Sequence, residues 1–131
     1  MLGEQLIEKL EIDEVNITLY KGFYQKQETS EIIEELRQEI KWKKVKIKLF
    51  GKEYLSPRLS AWYGEKSYKY SGYRWGKKNW PKVILRIKQD IEKLTLLKFN
   101  GVLANLYRDG QDSMGWHSDN EKELGCDPII V

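Results

Sequence analysis

Cysteine and histidine are nearly absent from the 131 residues: Cys126 and His117 are the only ones. A single cysteine closes no disulfide within the chain, and a lone cysteine beside a lone histidine makes no closed zinc site by itself. No apolar run approaches the roughly 18 residues that a membrane-spanning helix needs, so no membrane partner is expected. The start, Met1-Leu2-Gly3-Glu4-Gln5, lacks the basic flank and apolar stretch of a secretory signal, so the chain is expected in the cytoplasm, or in the nucleus if the source is eukaryotic. Internal repeats and low-complexity linkers are also missing. What the sequence does hold is 40% hydrophobic residues, 33% charged residues and sixteen aromatics, five of them Trp. That is enough apolar mass for a single domain over residues 1–131, with little room for a second.

The formal net charge of +3 is unevenly spread: residues 1–40 hold four Lys/Arg against ten Asp/Glu, and residues 41–131 hold nineteen against ten. The two stretches therefore carry −6 and +9. Positive charge gathers at Lys41, Lys43, Lys44, Lys46 and Lys48, and again from Lys66 to Lys88 among Tyr68, Tyr70, Tyr73, Trp75 and Trp80. Cations that neutralise phosphates, interleaved with rings that stack on unpaired bases, suit a nucleic-acid strand. The alternating lysines also suit the solvated face of any strand.

Val15 to Tyr20 alternates with period two and reads as a strand. A helix follows, with Ser30 as its cap, Glu31 in its first turn, and Ile32, Ile33, Leu36 and Ile40 on one stripe. Val45, Ile47 and Leu49 alternate with lysines, and the turn residues Phe50 to Glu53 lead to Tyr54-Leu55, which makes a hairpin. Residues 64–80 fit no clean period and read as a long, partly ordered loop rich in aromatics. Trp80-Pro81 opens a second helix with Ile84, Ile87, Ile91 and Leu94 on one face. From Phe99 to Tyr107 a strand directs Val102, Ala104 and Leu106 to one side and Leu103, Asn105 and Tyr107 to the other. Asp109-Gly110 marks a turn, and Pro128 to Val131 resembles the beginning of a strand.

His117 and Asp119 are two positions apart, so on an extended backbone both side chains leave one face and meet one cation. Imidazole with carboxylate suits Fe(II), as in the facial triad of two histidines and one carboxylate. His117 is the only histidine, however, so the third ligand of such a triad is not a histidine of these residues, and the thiolate of Cys126 would alter the site's geometry and redox character. A surface turn is the plain alternative for the pair. Asn105 and Tyr107 share a strand face and present an amide and a phenol to a polar ligand; taken alone, they fit a strand end equally well.

Five blocks in order carry a resemblance: Pro57-Arg58-Leu59-Ser60-Ala61-Trp62-Tyr63-Gly64, Tyr70-Ser71-Gly72, Phe99-Asn100, Asn105 to Gly110, and Asp112 to Glu121. Together they resemble the AlkB family of Fe(II)- and 2-oxoglutarate-dependent dioxygenases, in its branch that repairs alkylated nucleic acid, from about residue 15 onward. The resemblance implies an α+β fold with a double-stranded β-helix (jelly-roll) core backed by helices. It makes His117 and Asp119 catalytic ligands of Fe(II), and Asn105 and Tyr107 partners of the co-substrate 2-oxoglutarate. Tyr70 would stack on a base flipped out of its strand, Glu121 would touch that base's polar edge, and Arg58 would support the acidic side of the pocket. The implied reaction is oxidative demethylation of N-alkylated bases in single- or double-stranded DNA, or in RNA, releasing formaldehyde, succinate and CO2.

The family's second histidine and its two 2-oxoglutarate-binding arginines have no counterpart here. The jelly roll is therefore expected to be incomplete and C-terminally truncated, the 131 residues inactive alone, and the complete protein a monomer. Two alternatives stand beside this reading. One is a non-catalytic remnant that binds single-stranded nucleic acid through the basic aromatic loop; the other is a fragment without a stable fold.

Overall fold

In the computed structural model, residues 6–66, 68–70, 73–75, 79–119 and 130–131 are described, with backbone alone at Leu6, Tyr68, Tyr70 and Trp75. Four antiparallel strand pairs and two helices form among them, in two compact units, Met1–Glu39 and Ile40–Val131. The unit boundary falls where the charge changes sign, so the acidic excess belongs to the first unit and the basic excess to the second.

In the first unit β1 (Leu6–Ile12) pairs with β2 (Val15–Lys21), and Ile12 stands opposite Val15. The Asp13-Glu14 loop between them puts Asp13 at φ 53°, a left-handed conformation that Asp tolerates better than most residues. β2 covers the anticipated strand, and β1 is its unanticipated partner. Helix α1 spans Lys26–Glu39 and begins before Ser30, which corrects the expected cap. The Glu28 carboxylate reaches back to accept the Gln25 N–H at 2.9 Å, and Thr29 N–H donates to the Gln25 carbonyl. With the third helical residue satisfying that backbone donor, as in half of a capping box, no hydroxyl is needed at Ser30. The Ser30 hydroxyl instead donates to the Lys26 carbonyl one turn earlier. Ile32 is buried, Leu36 is half-buried and Ile33 is exposed.

The second unit opens with the hairpin of β3 (Lys46–Leu49) and β4 (Lys52–Leu55). Its two-residue turn holds Phe50 at φ 50° and Gly51 at φ 74°, both left-handed. β5 (Leu59–Gly64) follows, and its edge is extended by Lys43, whose backbone exchanges two 2.9 Å bonds with Ser60. Residues 64–80 are not one irregular loop: β6 (Tyr68–Tyr70) and β7 (Tyr73–Trp75) pair within them. Strands of three residues are too short to display a period of two, which is why the sequence conceals them.

Helix α2 (Lys82–Thr95) follows Pro81 and buries Val83 and Ile84, with Ile87, Ile91 and Leu94 half-buried along the same stripe. It ends on Leu96 in the left-handed region, where the Leu96 N–H donates to the Glu92 carbonyl. The Glu92 carboxylate accepts from Lys88 at 2.7 Å and from the Phe99 N–H at 2.9 Å, which turns the chain into β8 (Gly101–Leu106). The Lys88 hydrogen bond, with the Phe99 amide next, holds the Glu92 carboxyl down to about 2. A buried cluster of Val45, Ile47 and Trp62 carries Tyr73 and Leu103 against it. Antiparallel sheets with two helices give the α+β class, and among the described residues no helix is long and apolar enough to cross a membrane.

Candidate active site

β5 and β8 run antiparallel with Ser60 opposite Asn105, Trp62 opposite Leu103 and Gly64 opposite Gly101. Opposed residues of a pair share a face, and residues two apart stay on it. Arg58, Ser60 and Trp62 therefore lie on the face that carries Tyr107, Asn105 and Leu103. At the Trp62 end this face is apolar core; at the Arg58 end it is polar. The Ser60 hydroxyl donates to Asn105 Oδ1 at 2.8 Å, and Arg58 Nη1 donates to the Tyr107 hydroxyl oxygen at 2.9 Å. The Arg58 guanidinium also lies 5.9 Å from the centre of the Tyr107 ring. Arg58 and Ser60 are buried, at 6% and 5% exposure, whereas Asn105 and Tyr107 are exposed. Arg58 Nε is buried with no hydrogen-bond partner among the described residues.

The segment after β8 is folded back by a short-range clip. Asp112 accepts the Arg108 backbone N–H at 3.0 Å and the guanidinium Nε and Nη2 donors at 2.7 and 2.8 Å. Those hydrogen bonds from Arg108 hold the Asp112 carboxyl down to about 2. Asp109 completes the anticipated turn by accepting the Gln111 N–H at 2.8 Å. Ser113 N–H then donates to the Pro57 carbonyl at 3.1 Å, beside Arg58. At about 3.5 Å per residue, this tether keeps His117 within roughly 14 Å of Ser113.

His117 Nδ1 is 2.8 Å from the Gly115 carbonyl oxygen, an acceptor, so in the neutral ring the proton sits on Nδ1 and the lone pair on Nε2. Nε2 is 3.5 Å from Asp119 Oδ1, and both side chains are partly open to solvent. Ligand bonds of about 2.0–2.2 Å allow a single cation to touch two atoms at that separation. The donor set, an imidazole nitrogen whose tautomer is fixed by a carbonyl and a carboxylate oxygen, fits a divalent transition metal. Among the described residues no group of three or more His, Cys, Asp or Glu is placed to hold a metal ion.

The sequence-predicted residues thus meet as two pairs, Arg58 with Tyr107 and His117 with Asp119. Tyr70 is placed by its backbone in β6, opposite Tyr73, with its side chain outside the description; Glu121 lies outside the described residues altogether. Sequence reasoning gave no role to Ser60, Asp112 or the Gly115 carbonyl. The signal for Ser60 was a polar residue in a stretch otherwise apolar from Leu59 to Tyr63.

A profile of the 2OG-Fe(II) oxygenase superfamily matches residues 16–131. The alpha-ketoglutarate-dependent dioxygenase alkB homolog 3 of Homo sapiens is 42% identical over 116 residues, covering 88% of this chain and 41% of the relative. The DNA oxidative demethylase ALKBH2 of Bos taurus is 36% identical over 117 residues, covering 86% of this chain and 42% of the relative. Its Arabidopsis thaliana namesake is 33% identical over 102 residues, covering 73% of this chain and 32% of the relative. The chain spans about two fifths of the length of the first two curated relatives.

Proposed function

Because the chain belongs to the 2OG-Fe(II) oxygenase superfamily, we propose that it carries part of the active site of an oxidative demethylase acting on N-alkylated bases in DNA, or in RNA. The observation that carries this reading is the approach of His117 Nε2 to Asp119 Oδ1 at 3.5 Å with Nδ1 tied to Gly115. The resemblance to a relative named a DNA oxidative demethylase supports the substrate class. In this reading the antiparallel strand pairs are parts of a jelly roll.

His117 and Asp119 hold Fe(II), while the Asn105 amide and Tyr107 hydroxyl take the oxygens of 2-oxoglutarate. Bound iron supplies the centre at which 2-oxoglutarate and dioxygen are activated, so that an N-methyl group leaves as formaldehyde while 2-oxoglutarate becomes succinate and CO2. The Gly115 carbonyl keeps the lone pair of His117 on Nε2, where it would be available to a metal. Tyr70 would stack on the flipped base, Glu121 would touch its polar edge and Arg58 would support the acidic side of the pocket, the aromatic contact offsetting part of the few kcal/mol that extrusion costs.

These 131 residues contain one histidine, so we assign turnover to a form extended through the relatives' remaining length and none to the 131 residues alone. The assay is formaldehyde release from a single-stranded oligonucleotide bearing 1-methyladenine or 3-methylcytosine, with Fe(II) and 2-oxoglutarate supplied. Extended protein should turn over, and its His117→Ala variant should not; turnover that survives the substitution refutes the assignment.

A second reading, single-strand binding without catalysis, draws on the exposed Lys69 and Arg74, which stand opposite each other on the β6–β7 hairpin. It predicts salt-dependent binding, with a log–log slope of about −0.7 per phosphate contacted, and no metal affinity.

A further inference from the structure

The two cross-strand hydrogen bonds of the polar face run in the same direction. Each begins at a buried residue of the β5 segment and ends on the acceptor oxygen of an exposed residue at the opposing edge, Ser60 to Asn105 Oδ1 and Arg58 to Tyr107 Oη. Arginine has no acceptor atom, so the direction of the second bond is fixed by chemistry. With a guanidinium N–H on the phenol oxygen, the Tyr107 hydroxyl proton turns outward as a donor. With a serine hydroxyl on its carbonyl oxygen, the Asn105 amide presents its N–H side to solvent.

Burial makes the arrangement costly to reverse. Ser60 is buried, and turning the Asn105 amide over would leave the Ser60 hydroxyl proton without its Asn105 acceptor, since the amide nitrogen only donates. Arg58 also has a buried Nε without a partner among the described residues, and its charge is met by the Tyr107 hydroxyl oxygen and the face of the Tyr107 ring.

We propose that Ser60 and Arg58 are positioning residues that set the hydrogen-bond polarity of Asn105 and Tyr107, leaving a surface of donors that selects a carboxylate-bearing ligand. The proposal rests on the reading of Asn105 and Tyr107 as the 2-oxoglutarate contacts, and it concerns how that pair is oriented. A ligand that offers only acceptors satisfies both outward donors, whereas an isosteric ligand that offers donors meets them head-on. This accounts for a buried serine in β5, whose other residues are mostly apolar, and for a buried arginine just before it.

The test uses the protein extended through the relatives' remaining length, as in the turnover assay, loaded with Mn(II), a redox-silent stand-in for Fe(II). Binding of 2-oxoglutarate is measured by calorimetry, and the Asn105 side-chain amide is followed by 15N–1H NMR. The parent should bind with movement of the Asn105 amide signals. Ser60→Ala should weaken 2-oxoglutarate binding about fivefold, the value of one neutral hydrogen bond, and Ser60→Thr, which keeps the hydroxyl, should restore it. Arg58→Met should weaken it at least about tenfold, with partial recovery in Arg58→Lys. Mn(II) affinity should stay within about twofold of the parent throughout, since His117 and Asp119 are untouched; a merely structural role would lower both affinities together. A parent that binds 2-oxoglutarate with both variants equal to it overturns the positioning role and leaves the co-substrate assignment intact. Loss of Mn(II) affinity in parallel with 2-oxoglutarate affinity also overturns the positioning role. A parent that binds Mn(II) but no 2-oxoglutarate overturns both readings.

Discussion

Replacing Gly101 with alanine places a methyl group where the Trp62 indole already sits. The added Cβ would lie 2.4 Å from Trp62 Cη2 and 2.7 Å from Cζ2, far inside the roughly 3.5–4.0 Å of a normal carbon contact. The indole has little room to retreat. Its Nε1–H donates to the Lys66 carbonyl at 2.9 Å, and the ring is packed with Val45, Ile47, Tyr73 and Leu103. Backbone retreat is also resisted, because Gly64 stands opposite Gly101, and a Cβ on Gly64 would itself lie 2.9 Å from the Asn100 carbonyl oxygen. Overpacking costs about 1–3 kcal/mol, and swinging the ring away from Lys66 adds about 1 kcal/mol for the lost hydrogen bond. The expected destabilisation of Gly101→Ala is therefore about 2–4 kcal/mol. Urea unfolding followed by far-ultraviolet circular dichroism reads it, with the parent giving a single cooperative transition. A Trp62→Phe background removes the benzo atoms that collide, so there the cost of Gly101→Ala should fall by at least about 1 kcal/mol. A cost below about 0.5 kcal/mol in the parent, or the same cost in both backgrounds, refutes the clash as its origin.

Three further outcomes follow from local geometry. Phe50 is fully exposed at φ 50° in a turn whose second residue, Gly51, has φ 74°. Asn tolerates that conformation better, so Phe50→Asn should raise the urea midpoint, by about 0.5–1 kcal/mol in free energy, and a lower midpoint would contradict the turn assignment. The Asp112 carboxyl is held down to about 2 from an ordinary 3.8 by Arg108, so the clip stabilises the fold above the ordinary value and is lost as pH falls through about 2. Thermal melts from pH 5 to pH 2 should accordingly show a steeper loss of stability in the parent than in Asp112→Asn; parallel curves would contradict this. Leu96, exposed and left-handed at the end of α2, should gain stability as Leu96→Gly by about 0.5–1 kcal/mol, checked by the same unfolding measurement.

The elements that the sequence disclosed are those with one wet face and enough length. β2, the β3–β4 hairpin, α2 and β8 carry a period of two or 3.6 over several residues, and each forms close to where that period places it. β5 went unread because it is buried along nearly its whole length: Ser60 through Gly64 have neither a wet side nor an alternation. The β6 and β7 strands are three residues each, and glycine on either side breaks the pattern. Ser30 misled because a helix start satisfied by a glutamate reaching back needs no hydroxyl cap. At the site, the spacing of His117 and Asp119 and the shared face of Asn105 and Tyr107 were legible, since both follow from backbone geometry. Ser60 was not, because its role depends on cross-strand register with Asn105, and register between distant segments is not written in either segment alone.

The most direct test of the metal assignment is Mn(II) binding to the 131-residue chain by electron paramagnetic resonance, compared with His117→Ala and Asp119→Ala. One bound ion per chain is expected, with affinity falling at least about tenfold on loss of either side chain. An affinity unchanged by both substitutions would mean that the imidazole and the carboxylate, 3.5 Å apart, do not share a cation.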